Sequence, residues 1–251
     1  PVVVELVGSI AQAVRQGDSA EVAELRRAIG VIAETFEGTY GERSLSILSE
    51  RIESWSMQDL VVKATADSLM AAGIEVRTQD REKAKAEFEA AMALYQHLED
   101  LSGLAEVTGQ LGYVSWFLDR STYVEQNEKA LEARKAVDDR QLMGNSYNDL
   151  GLGNRVITRD YEAALAYYQE GERVRRAIGD SAALARMLPN LGRTYEAMGQ
   201  YVKARDYYLQ GAAFYLAVGD SANWIVQRRN TAGLMTNYAN RHSDALAILL
   251  D

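Results

Sequence analysis

The sequence predicts an all-α fold: a solenoid of about six antiparallel helix pairs. Three observations predict it. The tetrapeptide Gly-Asp-Ser-Ala occurs at Gly17–Ala20, Gly179–Ala182 and Gly219–Ala222. Six aspartates (Asp18, Asp59, Asp100, Asp139, Asp180 and Asp220) follow one another at steps of 41, 41, 39, 41 and 40 residues. Only two prolines occur in 251 residues, among abundant Ala, Leu, Glu and Arg, a composition that favours helix throughout. Self-similarity at a period of this length marks stacked repeats, each burying its apolar face on its neighbours.

Each aspartate reads as the junction between two helices. A preceding glycine can take the left-handed conformation that closes one helix. The aspartate accepts hydrogen bonds from the free amides that open the next, and its charge suits that end of the helix. Twelve or thirteen residues after each aspartate comes a small residue: Gly30, Ala71, Gly112, Gly151, Gly192 and Gly233. Glycine inside a helix costs up to about 1 kcal/mol against alanine, so its recurrence at one phase predicts close approach of a second helix. Ala163, Ala204 and Ala245, twelve residues on, are the expected facing positions. Tyr201, Ala204, Tyr208, Gly211, Tyr215 and Val218 then recur at helical spacing on one face. A large side chain at Gly192 is expected to overpack this contact by about 1–3 kcal/mol.

These signals divide the chain into residues 1–17 (the second helix of a cut repeat), 18–58 (a degenerate repeat), 59–99, 100–138, 139–179, 180–219 and a truncated 220–251. One continuous domain is expected. The pattern is weakest over residues 37–57. Pro189 falls inside a helix, where it cannot donate to the carbonyl of Ala185, so a bend or irregular turn is expected over 185–189.

Composition restricts the chemistry. With no cysteine and only His97 and His242, the chain lacks the residues for thiolate metal sites, and two isolated histidines make a poor zinc site. The same scarcity argues against base-activated nucleophilic catalysis. No enzyme activity, cofactor or metal is expected. Gly151-Leu-Gly153 lacks the third glycine and the preceding strand of a dinucleotide loop. A net charge of −9 argues against sequence-independent nucleic-acid binding. The apolar opening at Val2–Val4, Leu6 and Val7 is too short to span a membrane. Absence of cysteine leans towards a reducing, cytoplasmic setting. The first residue is proline, so an excised or processed piece of a longer chain is expected.

The stretch LPNLGRTYEAMGQYVKARDYYLQG resembles the tetratricopeptide repeat. Leu191, Gly192, Tyr195, Ala204 and Tyr208 stand at that family's apolar, small and aromatic positions, and Leu150, Gly151, Ala163 and Tyr167 repeat most of them. Asn154 and Ser115 replace the aromatic held by Tyr195, while Val124 and Glu128 stand where Ala204 and Tyr208 would be. The period of about 40 is similar to the longer repeats of kinesin light chains and of bacterial signalling proteins. The resemblance implies a right-handed superhelix in which first (A) helices line a concave groove and second (B) helices the outside.

Carried over residue by residue, the groove positions are Asn145, Asn148, Asp149 and Arg155, then Arg186, Asn190, Arg193 and Glu196, then Gln227, Asn230 and Asn237 with Tyr238 beside them. Asparagine can both donate to and accept from an extended peptide, and arginine can grip a carboxylate with two bonds. The A helix after Asp100 instead carries Glu106, Gln110, Tyr113, Trp116 and Phe117. Tyr113, Trp116 and Phe117 form either an apolar anchor for a partner or ordinary helix packing. The implied function is a scaffold binding a protein or peptide, acidic in character or supplied in cis, as the sensor or adaptor part of a signalling protein. The alternative is a regulatory segment of a protease, kinase or ATPase whose catalytic domain lies outside this chain.

Overall fold

The computed structural model describes residues 2–41 and 43–238. It is all-α, with twelve helices and no strand among these residues. They fall into two compact units, residues 1–140 and 141–251.

In the first unit, α1 (Val2–Gln16) packs on α2 (Ser19–Tyr40) and on α4 (Met57–Val76). Between them lies the short α3 (Ser44–Ser54), packed on α2. Ile10, Ile29, Ile52 and Leu60 make a core from these four helices. Trp55 closes that core, its indole N–H donating to the Leu98 carbonyl at 3.2 Å. Next come α5 (Arg81–His97), α6 (Leu101–Leu118) and α7 (Tyr123–Ala136), each packed against the helix before it. Phe88 and Ala91 of α5 and Val107 and Val114 of α6 share an interior with Ala66 and Met70 of α4.

In the second unit α8 (Arg140–Gly153) runs into a five-residue π-helical turn, Asn154–Thr158. It is followed by α9 (Tyr161–Ala177), α10 (Ser181–Ala197), α11 (Tyr201–Ala217) and α12 (Ser221–Tyr238). Consecutive helices from α9 onwards pack together, and Tyr168, Leu188, Leu191, Ala204 and Tyr208 are fully or almost fully buried among them.

The helix junctions follow from local chemistry. Asp18, Asp100 and Asp180 are N-caps whose carboxylates accept amide hydrogen bonds, and Asp220 accepts from the Asn223 amide at 3.0 Å. Gly17, Gly179 and Gly219 take left-handed φ angles of 73°, 72° and 76°. Where the glycine is missing, Glu99 and Asp138 adopt the same turn at φ 50° and 51°.

Several registers differ from those the spacing predicts. Asp59 is not an N-cap: Ser56 caps α4, and Asp59 answers it three residues later in a reciprocal capping box. The helix therefore starts earlier, and the small residue facing its partner is Gly73, where a Cβ would collide with the Phe88 ring. Ala71 is exposed, because a shift of two residues is about 200° around a helix. In the repeat over 139–179 Ala164 and Tyr168, not Ala163 and Tyr167, are buried, each with 0% of its surface exposed. The π turn inserts one residue before α9, which moves every facing position along by one. Under Gly112 lies Asn127, 2.8 Å from where a Cβ would stand, rather than Glu128. Finally, α10 passes through Pro189 as continuous α-helix. The pyrrolidine ring packs against Gly211, and the irregular turn sits one repeat earlier. The expected final helix, with Ala245 and His242, lies outside the described residues.

Candidate functional site

The polar residues of the A helices in the second unit form a connected row. Asn190, on α10, donates from Nδ2 to Oδ1 of Asn148 on α8 at 3.1 Å. Asn148 donates in turn to Asp149 at 3.2 Å, and Arg193 donates to Oδ1 of Asn190 at 3.2 Å. Arg193 and Arg186 are exposed, while Asn148 and Asn190 are half-buried. Positions 148 and 190 lie on two A helices, α8 and α10, and each A helix packs through a glycine on the helix that follows it. Gly192 admits the Tyr208 ring to 2.7 Å from its would-be Cβ.

Other predicted positions are engaged differently. Asn145 accepts a 2.7 Å bond from Arg175, a buried arginine that also pairs with Asp180 at 3.0 Å. Burial lowers the Arg175 pKa, against the opposing pull of Asp180. Gln227 is only 3% exposed; it accepts from Asn230 at 3.3 Å and supports that residue rather than facing solvent. Glu196 accepts the Tyr208 hydroxyl at 2.6 Å. Burial and then this bond raise the Tyr208 pKa. Arg155 lies in the π turn. Asn237 belongs to α12, but its side chain lies outside the described residues, as does that of Tyr238.

The aromatic trio of the first unit splits in two. Tyr113 and Phe117 are 38% and 50% exposed and meet edge to face at 5.4 Å. Arg77 lies over the first ring at 5.0 Å and Arg81 over the second at 4.2 Å. Arg77 is held there by a bond to Gln110. Trp116 belongs to a different contact, against Tyr123 at 5.0 Å, with Arg120 on its ring at 4.7 Å. Tyr113 and Phe117 thus share an exposed pair of rings on α6, while Trp116 lies against Tyr123.

Sequence reasoning missed a cleft of about 230 Å³ in the first unit. Its walls include Val7, Leu48, Met70 and Ile74, and Lys63, Asp67, Tyr95 and Glu106 supply its polar groups. Lys63 pairs with Asp67 at 2.5 Å and with Asp100 at 3.3 Å, and Tyr95 donates to Asp67 at 2.8 Å. Burial alone would lower the Lys63 pKa, but the two carboxylates outweigh it and hold it above the ordinary value. Glu106 reaches solvent at the surface, yet burial of its carboxyl in the cleft wall raises its pKa, with Lys63 opposing. The Lys63–Asp67 spacing of four inside an apolar helix was the available signal. Among the described residues no cluster of three or more His, Cys, Asp or Glu could hold a metal ion. No helix there is long and apolar enough to cross a membrane.

Residues 155–217 match the family model of the tetratricopeptide repeat. The tetratricopeptide repeat is thus shown for about a quarter of the chain, 63 of its 251 residues. The matched stretch holds α9, α10 and α11, and with them the Gly192–Tyr208 contact. The chain is similar in fold to three solved structures. A signal transduction ATPase with numerous domains and a tetratricopeptide repeat sensor, from Pyrococcus horikoshii, aligns over 95% of this chain at a TM-score of 0.62 and 15% identity. This chain spans only 36% of that protein. Aspartyl phosphate phosphatase F from Bacillus subtilis aligns over 98% of this chain and 74% of its own, at 0.60 and 14%. The apo form of RapI aligns over 99% and 74%, at 0.66 and 13%. No curated protein matches the sequence.

Proposed function

We propose that the chain is a non-enzymatic binding scaffold, and that the A-helix face of its second unit holds an extended partner segment of acidic character. The observation that carries this is the Asn148–Asn190–Arg193 row. Both ends of each amide are engaged in the row, yet each keeps a second N–H and a second oxygen lone pair that a peptide backbone can use. Arg186 and Arg193 add exposed cations to a chain of net charge −9. That combination favours a carboxylate-bearing ligand. Capture of a partner by the full chain, followed by the double substitution Asn190→Ala and Arg193→Ala, tests it. Binding is expected to fall at least about tenfold, since each lost bond to a charged group is worth about 1.5–3 kcal/mol. Undiminished binding would sink the reading.

A second reading has its own support. The Pyrococcus horikoshii relative in fold carries its tetratricopeptide repeats as a sensor within a larger ATPase. On that reading this chain is the regulatory segment of a longer enzyme and its groove is occupied in cis. Addition of the captured partner to the full-length protein separates the two. A cis-filled groove shows competition between the partner and the neighbouring domain, and a free one does not.

A further inference from the structure

The repeat over 100–138 lacks a pair of rings that the repeat over 180–219 possesses. In the latter Tyr195, three residues after Gly192, stacks on Tyr207 with centroids 5.4 Å apart and planes 15° from parallel. Lys203 lies over the Tyr195 ring at 5.2 Å. The packing contacts fix the corresponding positions. Ser115 stands three residues after Gly112. Asn127 lies under Gly112 as Tyr208 lies under Gly192, so Gln126 corresponds to Tyr207 and Thr122 to Lys203. Ser115, Thr122 and Gln126 all line one cleft of about 270 Å³ formed by α5, α6 and the start of α7. The preceding helices agree. Glu172, four residues after Tyr168, acts electrostatically on Tyr207; Met92, four after Phe88, lines the cleft. The cleft is thus the place of the tyrosine stack without its rings.

We infer that this cleft receives an aromatic side chain of a partner protein, tyrosine above all, carried on a segment of neutral or basic character. Its floor is apolar, made by the buried Leu111 and Val114 and the partly buried Leu118. The hydroxyls of Ser115 and Thr122 donate to the backbone carbonyls of Gly112 at 2.7 Å and Asp119 at 3.0 Å, so they demand nothing of a ligand. An apolar cavity of about 150 Å³ holds benzene, so this larger space admits a phenol ring. The Met92 thioether suits a ring edge, and Lys85 on the rim can lie over a ring face as Lys203 does. Charge selects the flanking segment. Lys85 pairs with Glu89 at 3.8 Å. Asp119, held below the ordinary carboxylate range by hydrogen bonds from Ser121, then leaves the rim net negative. The site lies on other helices than the Asn148–Asn190–Arg193 row and takes a segment of different charge, so neither depends on the other.

Methyl NMR of the full chain, labelled at leucine and valine, tests this. The probe p-cresol, the tyrosine side chain alone, should shift the Leu111, Val114 and Leu118 methyls and saturate at about millimolar concentration, as expected for so few atoms. The capped tripeptide Lys-Tyr-Lys should shift the same methyls. Lys-Leu-Lys should bind severalfold more weakly for want of a ring, and Glu-Tyr-Glu about three- to fivefold more weakly, the scale of exposed charge pairs. Gln126→Tyr fills the cleft from its half-buried rim and should weaken p-cresol at least about tenfold with the fold intact. Adding Ser115→Tyr rebuilds the stack and should raise the thermal midpoint by about 2–5 °C; Gln126→Tyr alone decides the matter where the double variant does not fold. No saturable shift with p-cresol, or undiminished p-cresol binding by Gln126→Tyr, overturns the site. Binding of p-cresol without Lys-Tyr-Lys overturns the partner side chain in favour of a free phenol. Equal binding of Glu-Tyr-Glu and Lys-Tyr-Lys overturns the neutral or basic flank.

Discussion

Lys63→Met is expected to destabilise the first unit by about 3–5 kcal/mol, the cost of leaving a buried charge without its partner. Lys63 is 7% exposed and Asp100 only 1%, and among the described residues Lys63 is the cation paired with that carboxylate. Asp100 cannot turn away, because its other oxygen caps α6 through the Gly103 amide at 3.0 Å. Methionine keeps the length of the side chain, so the loss reports charge rather than volume. Urea unfolding followed by circular dichroism measures it, and a loss below about 1 kcal/mol, the scale of a surface pair, would show that the cluster is not buried as placed. The triple variant with Asp67→Asn and Asp100→Asn keeps the cap and the Tyr95 acceptor but removes all three charges. It should regain most of the stability, since uncharged replacements of buried ion clusters are often neutral. The dependence on pH has a definite sign. The folded-state pKa of Lys63 is raised above 10.5, so its contribution is full below that pH and is lost as pH climbs through the folded value. On the alkaline side the gap between wild type and Lys63→Met should therefore close only well above the ordinary lysine range.

Phe88→Ala is expected to cost about 3–5 kcal/mol, as for other large aromatic truncations in cores. Phe88 is 0% exposed, and its ring fills the space that a side chain at position 73 would need. Gly73→Leu should cost about 1–3 kcal/mol by overpacking. Ala71→Leu, on the exposed side of the same helix, should stay within about 0.5 kcal/mol. Gly73→Leu combined with Phe88→Ala should cost less than the sum, because the new side chain enters the cavity left by the ring; contacting residues couple by about 0.5–3 kcal/mol. Equal losses from the substitutions at positions 71 and 73 would contradict the placement of Gly73.

What could be read in the sequence was what is decided locally. Asp100 and Asp180 cap helices because a carboxylate three residues before a free amide needs no tertiary help. Gly112, Gly151 and Gly192 face partner side chains as their phase indicates. The failures came from counting across a junction. Ser56 with Asp59 spells a capping box, but the 41-residue beat drew attention to the aspartate alone. The π turn at Asn154–Thr158 has no comparable signature, so Ala163 stood in for Ala164. For the candidate site, family register brought Asn148 and Asn190 to one face although they are 42 residues apart. It gave no sign that Gln227 is buried, because burial is a property of side chains meeting in space. Lys63 was missed for the same reason: its pairing with Asp100 depends on how α4 lies against the start of α6.

The extra residue in the π turn leaves no trace downstream. Tyr168 still lies against Gly151 as Tyr208 lies against Gly192, although one interval is 17 residues and the other 16. Each glycine–aromatic contact thus acts as a frame reset: it corrects a counting error within one repeat and hands the next a clean start. Such a chain can gain or lose single residues between its paired helices during evolution without shifting everything that follows. The connection after Thr158 is accordingly where a short tag or a spectroscopic probe can be spliced in with the least disturbance to the stack.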